Sequence, residues 1–591
     1  MPRPVTPLIV LVLLVSGCAS RAPEMAPIPP AWRFASPPAP VVAPRVMVVS
    51  EHQLSSDVGT EVLRRAGNAI DAAVAVGFAQ AVVNPRAGNI GGGGFLVYRQ
   101  ADGQVFALDY REKAPARSQR DMYLDGAGNV TEASTTGALA AGVPGSVAGL
   151  AEMHRRFGRL PWRELLEPAI RLARDGHVVD SVRAAFLESH ERRLRRFPSS
   201  AEVFYPGGRP LIAGASWRQP DLASTLELIR DSGAAGFYQG RTADLIVAEM
   251  RRSGGIVTRE DLAGYRAVWR EALAIRYRGW TIFSMPPSSS GGVTMALMLN
   301  ILEGWRRLPP WGSAELMHLQ IEAMRRAFVD RNRWLGDPDF VQMPLDRLLS
   351  KEYAAELRRQ IRPDRATPLA ELSAVGAGTE GQETMHYAIV DSAGNAASVT
   401  STLNDSFGSA LVVRGAGFLL NDEMDDFTAK PGAPNLYGLV QGEANAIAPG
   451  KRMLSAMTPA IVVNPRGRLE LVVGAPGGPR IITAVTQVIS NVIDHRMNLV
   501  QAVHAPRIHH QALPDSVRWE SGGLDPEVRH RLEAMGHHFF TYPGSSNQRC
   551  MAMAVTALRD CHNAVVEAIR VTPRGLEGVA DLRLLGGAAG W

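Results

Sequence analysis

Gly376-Ala377-Gly378-Thr379-Glu380-Gly381-Gln382-Glu383 runs straight into Thr384-Met385-His386-Tyr387-Ala388-Ile389-Val390-Asp391, and then into Asn395-Ala396-Ala397-Ser398-Val399-Thr400-Ser401-Thr402. The first eight residues are small, polar and glycine-rich, which is loop composition. The two apolar runs after them read as strands, with Ser392-Ala393-Gly394 as the turn between. A loose segment thus enters a β-hairpin whose first residue is a threonine. A threonine hydroxyl is a weak nucleophile at neutral pH and needs a base beside it. Breaking the Glu383–Thr384 bond would give Thr384 an α-amine that fills this role, directly or through water. The unperturbed pKa of such an amine, about 8, leaves a useful neutral fraction. Strand starts also attract threonine through β-propensity alone, so the surroundings have to discriminate.

Working outward, Thr402-Leu403-Asn404 closes the second strand, where its side chains return toward the start of the first. Asn421-Asp422-Glu423-Met424-Asp425-Asp426-Phe427 concentrates acids in a short loop. Such clusters usually face solvent or bind metals such as calcium; a substrate ammonium group held by Glu423 and Asp426 is the third reading. Lys451-Arg452-Met453-Leu454-Ser455 and Gly474-Ala475-Pro476-Gly477-Gly478-Pro479-Arg480 follow. Gly477 and Gly478 offer adjacent N–H groups with no side chain in the way, which suits an oxyanion hole and equally a tight turn. Upstream, Gly88-Asn89-Ile90-Gly91-Gly92-Gly93-Gly94 precedes the strand-like Phe95-Leu96-Val97-Tyr98. A dinucleotide fingerprint needs its glycines after a strand and before a helix; the order is reversed, so close backbone packing is expected instead. Ser56-Asp57 opens a helical stretch that stops at Gly67-Asn68, and Ala69 to Val83 has the apolar texture of a helix buried on most faces. From about Leu150 to Arg359, amphipathic helices alternate with Pro/Gly breaks.

Several of these blocks, in this order, resemble the gamma-glutamyltransferases (glutathione hydrolases) of the N-terminal nucleophile hydrolase group. The resemblance runs from about Val46 to the Gly-rich tail. It rests on Gly88 to Phe95, Asp109-Tyr110-Arg111-Glu112-Lys113-Ala114-Pro115, Met285 to Gly292, Thr384 to Tyr387, Leu419 to Phe427 and Pro476 to Arg480. It implies an α/β fold in four layers, an αββα sandwich, cleaved before Thr384 into a large subunit (46–383) and a small catalytic subunit (384–591) that stay together as a heterodimer. Thr384 matches the nucleophile and Thr402 the hydroxyl assisting it. Arg111 and Ser455 match the residues holding the substrate α-carboxylate; Asn404, Glu423 and Asp426 match those holding its α-amino group; Gly477 and Gly478 match the oxyanion hole. Gamma-glutamyl groups from glutathione would pass to water or to amino acid and peptide acceptors, with no metal or organic cofactor. A segment from Ala429 to Ile447, containing Pro431 and Tyr437, resembles the lid of glutathione-cleaving members. Ala456, Met385 and Pro479 depart from residues frequent in the family, and Ala456 removes a hydroxyl from the carboxylate site. A cephalosporin or glutaryl acylase of the same superfamily is the alternative reading.

The termini and composition bound the rest. Arg3 and the apolar run Leu8 to Val15 suit a signal peptide, being too short to span a bilayer. Val15-Ser16-Gly17-Cys18 looks like a lipobox, with Cys18 lipidated after cleavage; the alternative is a plain secretory signal. Residues 1–18 are therefore read as a lipoprotein-type signal and 19–45, rich in Pro and Ala, as a tether. Ala19 favours the outer membrane, which implies an exported, periplasmic protein held by a lipid anchor. The chain has 591 residues, 46% hydrophobic and 20% charged, an ordinary globular composition. Its net charge of +5 includes the run Arg192 to Arg196, read as a solvated helix face and not a nucleic-acid patch. Of three cysteines, Cys550 and Cys561 could pair or stay free. His504, His509, His510, His537 and His538 read as structural, since no carboxylate or cysteine spacing accompanies them as a zinc site requires.

Overall fold

The computed structural model describes residues 28–372, 384–540 and 562–591. Glu383, Cys18, Cys550 and Cys561 lie outside the described residues. Two seven-stranded antiparallel sheets stack face to face. One is ordered Val41–Ala43, Gly575–Ala580, Glu567–Thr572, Leu469–Gly474, Ala460–Val463, Trp280–Ser284, Leu273–Tyr277. The other is ordered Gly587–Gly590, Met47–Ser50, Met385–Val390, Ala396–Thr402, Gly93–Arg99, Val105–Asp109, Val268–Arg270. Helices Gly291–Glu303 and Arg480–Ile493 cover the first sheet, and Ala69–Val83 and Ser146–Phe157 the second. This is the four-layer αββα sandwich that the sequence implied.

The layering follows from the alternation of side chains along each strand. In Met385–Val390, the odd residues Met385, Tyr387 and Ile389 join the core formed with helix Ala69–Val83, while Ala388 and Val390 join that of the facing sheet. His386 also points between the sheets, where Gly474 has no room for a Cβ against its ring. Helix Ala69–Val83 is buried at every residue and starts with a capping box between Asn68 and Asp71.

Three local readings are corrected. The helix expected from Ser56 begins at Gln53, because His52 caps it by accepting the Leu54 N–H at 3.1 Å. The stretch read as amphipathic helices alternating with Pro/Gly breaks also contributes the hairpin Leu273–Tyr277 and Trp280–Ser284. Its turn uses Arg278 and Gly279 at φ 48° and 81°, a backbone that Asn-Gly usually announces. Finally, the segment expected as a tether is docked in its second half. Trp32 is buried and donates its indole N–H to the His504 carbonyl at 2.9 Å, and Val41–Ala43 pairs with Gly575–Ala580.

The described histidines act structurally. His509 bonds Thr483 at 2.9 Å, His510 meets Asp515 at 3.3 Å, and His537 bonds His318 at 2.8 Å. Among the described residues no group of His, Cys, Asp and Glu is arranged to hold a metal, and no helix is long and apolar enough to cross a membrane.

Candidate active site

Thr384 immediately precedes its strand and is buried. Pairing of Met385 with Ser401 continues the register so that Thr384 comes opposite Thr402, the last residue of the neighbouring strand. The glycine run makes this approach possible. Gly93 pairs with Thr402, and a Cβ on Gly92 would lie 2.0 Å from the Thr402 carbonyl oxygen. Thr402 Oγ1 accepts the Asn404 N–H at 2.8 Å, turning the chain so that Asn404 sits at φ 84°. Asn404 Nδ2 then donates to the Asp422 carbonyl at 3.0 Å, tying this turn to the acidic loop.

Thr384 and Thr402 open into a narrow cleft shared with Arg111, Asn404, Glu423, Asp426, Tyr437, Ser455 and Gly478. Nine positions singled out in the sequence therefore meet in one place. Gly477 lies directly behind Gly478. The pair adopts φ 133° and 56°, and a Cβ on Gly477 would come within 2.9 Å of the Ala564 Cα, so both the turn and the space require glycine. Neither Gly477 nor Gly478 donates its N–H to a described residue. They stand at the start of helix Arg480–Ile493, whose positive end reinforces them toward an anion.

The electrostatics are concentrated on Arg111. It is buried, contacts Glu423 at 2.5 Å and Glu112 at 3.5 Å, and pairs with Asp426. Its Nε donates to the Met453 carbonyl at 3.3 Å. Burial works against its charge, but the three acids outweigh this and hold the guanidinium firmly protonated. The residue expected to grip a carboxylate is thus held by the two acids expected to grip an ammonium. Glu423 is fully buried, and neither of its oxygens accepts a hydrogen bond in the structure. Burial pushes its pKa well up, with Arg111 opposing. An ion contact without hydrogen-bond geometry leaves Glu423 with acceptor capacity for an incoming donor. Glu112 is pushed up to about 8, mainly by burial.

Ser455 is held by its backbone. Its N–H donates to the Ser288 carbonyl at 3.0 Å, and its carbonyl accepts from Ser290 Oγ at 2.6 Å. The loop Pro286 to Ser290 thus cradles Ser455. In the segment expected as a lid, Tyr437 is buried and its hydroxyl donates to the Asn404 carbonyl at 2.5 Å. Pro431, by contrast, is exposed and does not line the cleft.

Two arginines escaped the sequence reading. Arg331, on helix Ala314–Trp334, lines the same cleft. Arg193 belongs to the basic run read as a solvated face. Arg195 and Arg196 do pair outward, with Glu191 and Glu132. Arg193 instead turns in. It donates to Asp405 Oδ2 at 3.1 Å, to the Ser406 carbonyl at 2.9 Å, and to the Thr135 and Gly408 carbonyls at 2.6 Å each. It thereby clamps the loop that follows Asn404. Local charge runs hide such a residue, because Asp405, Ser406 and Gly408 lie more than two hundred positions away in sequence.

Comparison with known proteins agrees with this geometry. The family model described as Gamma-glutamyltranspeptidase matches residues 55–591. The chain is 49% identical to a glutathione hydrolase proenzyme of Pseudomonas sp. (strain A14), covering 85% of this chain and 88% of that protein. It is 44% identical to the glutathione hydrolase proenzyme of Escherichia coli (strain K12), covering 89% and 92%. Among solved structures it is similar to a cephalosporin acylase from Bacillus halodurans, with TM-score 0.81, 28% identity, and coverage of 94% of this chain and 97% of that one. A threonine and a cation–acid cluster in one cleft, on a sandwich matched along nearly its whole length, leave one assignment: the chain belongs to the gamma-glutamyltranspeptidase family.

Proposed function

We propose that this chain cleaves itself before Thr384 and then transfers gamma-glutamyl groups from glutathione and related amides to water, amino acids or peptides. The observation that carries this is the convergence of Arg111, Glu423 and Asp426 on the cleft holding Thr384. A gamma-linked glutamate has a carboxylate and an ammonium on the carbon remote from its scissile amide. One cation and two acids, buried together, complement that head group and fix the amide near the hydroxyl.

The Thr384 hydroxyl attacks the gamma-carbonyl as its proton passes to the α-amine of the same residue. The Gly477 and Gly478 N–H groups receive the developing oxyanion. The leaving amine takes the proton, and a gamma-glutamyl ester remains on Thr384. Water or an acceptor amine then attacks the ester and restores the hydroxyl. The chemistry calls for no metal or organic cofactor. The two products of self-cleavage would remain one body, since residues on both sides of position 384 share both sheets. Met385–Val390 is bonded to Met47–Ser50, and Ala396–Thr402 to Gly93–Arg99.

A glutaryl or cephalosporin acylase is favoured by one feature, the likeness of the fold to a cephalosporin acylase. Against it, glutaryl groups lack the ammonium that would engage Glu423 and Asp426. Turnover of gamma-glutamyl-p-nitroanilide against glutaryl-p-nitroanilide separates the two. The proposal expects a clear gamma-glutamyl preference, and a glutaryl preference would refute it. Export and anchoring through Cys18, rendering 1–18 a signal and the segment after it a membrane attachment, complete the proposal. It rests on Arg3, the apolar run and Val15-Ser16-Gly17-Cys18. Failure of the protein to take up a labelled fatty acid would contradict it.

A further inference from the structure

Arg331 has no role in the reading above, yet it is a second buried cation in the cleft. It leaves helix Ala314–Trp334 and is fixed on two sides. Its Nε donates to Ser290 Oγ at 3.2 Å, and its Nη1 donates to Asn332 Oδ1 at 3.0 Å and to Gln441 Oε1 at 2.7 Å. Gln441 in turn donates to the Asp426 carbonyl at 3.0 Å, as does Asn445, which also bonds Gln441 Oε1 at 3.1 Å. Arg331 therefore reaches the Asp426 backbone through one side chain, and its charge acts on the carboxylate across space. No carboxylate forms an ion pair with it among the described residues. Burial and the nearby Arg111 depress its pKa, to about 10, while Asp426 works in the opposite sense.

Charge counting gives this residue a purpose. Arg111 is one cation set between two acids, Glu423 and Asp426. A gamma-glutamyl head group brings one carboxylate and one ammonium. When Arg111 turns to the carboxylate, both acids lose their cation and the ammonium alone replaces it. For Glu423 and Asp426 both to meet the ammonium as carboxylates, with Glu112 protonated, the buried set holds three negative charges (Glu423, Asp426, substrate carboxylate) against two positive ones (Arg111, substrate ammonium). Arg331 closes the balance. Without it, the cheapest adjustment is a proton on one of the two acids, which weakens their joint attraction for an ammonium.

We propose that Arg331 is the specificity-determining cation of this site: by keeping Asp426 ionised and aimed through Gln441 while Arg111 holds the carboxylate, it sets the preference for substrates with an α-ammonium group. It acts through Asp426 and is a positioning residue. The inference rests on the gamma-glutamyl reading and sharpens it.

The test compares kcat/KM for gamma-glutamyl-p-nitroanilide and glutaryl-p-nitroanilide in the processed enzyme. The two differ only in the ammonium. Arg331→Gln should reduce the gamma-glutamyl to glutaryl ratio by at least about tenfold, the scale of a lost charged interaction. Arg331→Lys, which keeps the charge, should retain most of the ratio. Gln441→Glu leaves Arg331 in place but gives it an acid partner, and should reduce the ratio as Arg331→Gln does; it serves if the latter fails to fold. A merely structural lesion lowers both substrates together and spares the ratio. An unchanged ratio in Arg331→Gln or Gln441→Glu, or an equal fall in Arg331→Lys, overturns the proposal. A wild-type enzyme with no gamma-glutamyl preference would instead overturn the functional reading beneath it.

Discussion

Replacing Arg111 by Lys probes the recognition chemistry without removing a charge. The guanidinium touches Glu423, Asp426 and Glu112 and also donates to the Met453 carbonyl. A lysine ammonium is a point donor on a flexible stem and cannot present two parallel N–H groups to one carboxylate. Losing one charge-assisted hydrogen bond to the substrate costs about 1.5–3 kcal/mol, or roughly 10- to 150-fold in affinity. Because the α-carboxylate does not change as the amide reacts, the loss falls on ground state and transition state alike. KM for gamma-glutamyl-p-nitroanilide should rise by that factor with kcat little altered, the signature of lost uniform binding. Arg111 lies outside the bond being cut, so the variant should still mature into two fragments on a denaturing gel. Initial rates over a wide substrate range provide the assay. An unchanged KM, or a fall in kcat at constant KM, would refute the role given to Arg111.

Other consequences are as direct. Ala456→Ser adds a hydroxyl beside Ser455 and should lower KM for gamma-glutamyl-p-nitroanilide by about tenfold, one hydrogen bond to a charged group; a raised KM would show that the cleft cannot use it. Arg193→Ala removes the clamp on the loop after Asn404 and should cost about 2–4 kcal/mol of stability, read as a lowered melting temperature, while Arg193→Lys, unable to bond four partners, recovers only part. A melting temperature unchanged in Arg193→Ala would show that the clamp is dispensable. Acid should destabilise the protein through its buried histidines. Burial holds His386 and His537 down at about 3 and His177 at about 4. The unfolded chain takes up these protons near pH 6.5 and the folded one resists them. Stability is therefore full above pH 6.5 and falls by about 1.4 kcal/mol per pH unit per histidine as pH drops toward those values. Raised buried acids such as Glu112 act in the opposite sense, so the check is a difference: between pH 7 and 4.5 the melting temperature of the wild type should fall more steeply than that of His177→Gln, and equal slopes would contradict it.

What was readable in the chain, and what was not, divides on physical lines. The hairpin that starts at Thr384 and the helix Ala69–Val83 announce themselves by periodicity, because each buries a continuous face whose residues are neighbours in sequence. The glycines at 91 to 94 and 477 to 478 were legible as places where backbones approach, and the close contacts with Leu419, Thr402 and Ala564 explain them. The strands Leu273–Tyr277 and Trp280–Ser284 were hidden, since their turn carries Arg278 where Asn or Asp would have flagged it. Arg331 and Arg193 were hidden for a different reason. Each is one charge among many on a polar helix, and only tertiary folding brings Gln441 to the first and Asp405 to the second. Pro431 shows the converse error, a residue matched by segment position that lies at the surface and away from the cleft.

The account stands on one covalent event, the scission that turns Thr384 into a chain terminus. N-terminal sequencing of the smaller fragment of the purified protein tests it directly. The fragment should begin Thr-Met-His-Tyr and be absent from Thr384→Ala. A full-length chain that turns over gamma-glutamyl-p-nitroanilide at the full rate, or a fragment beginning at any other residue, would contradict it.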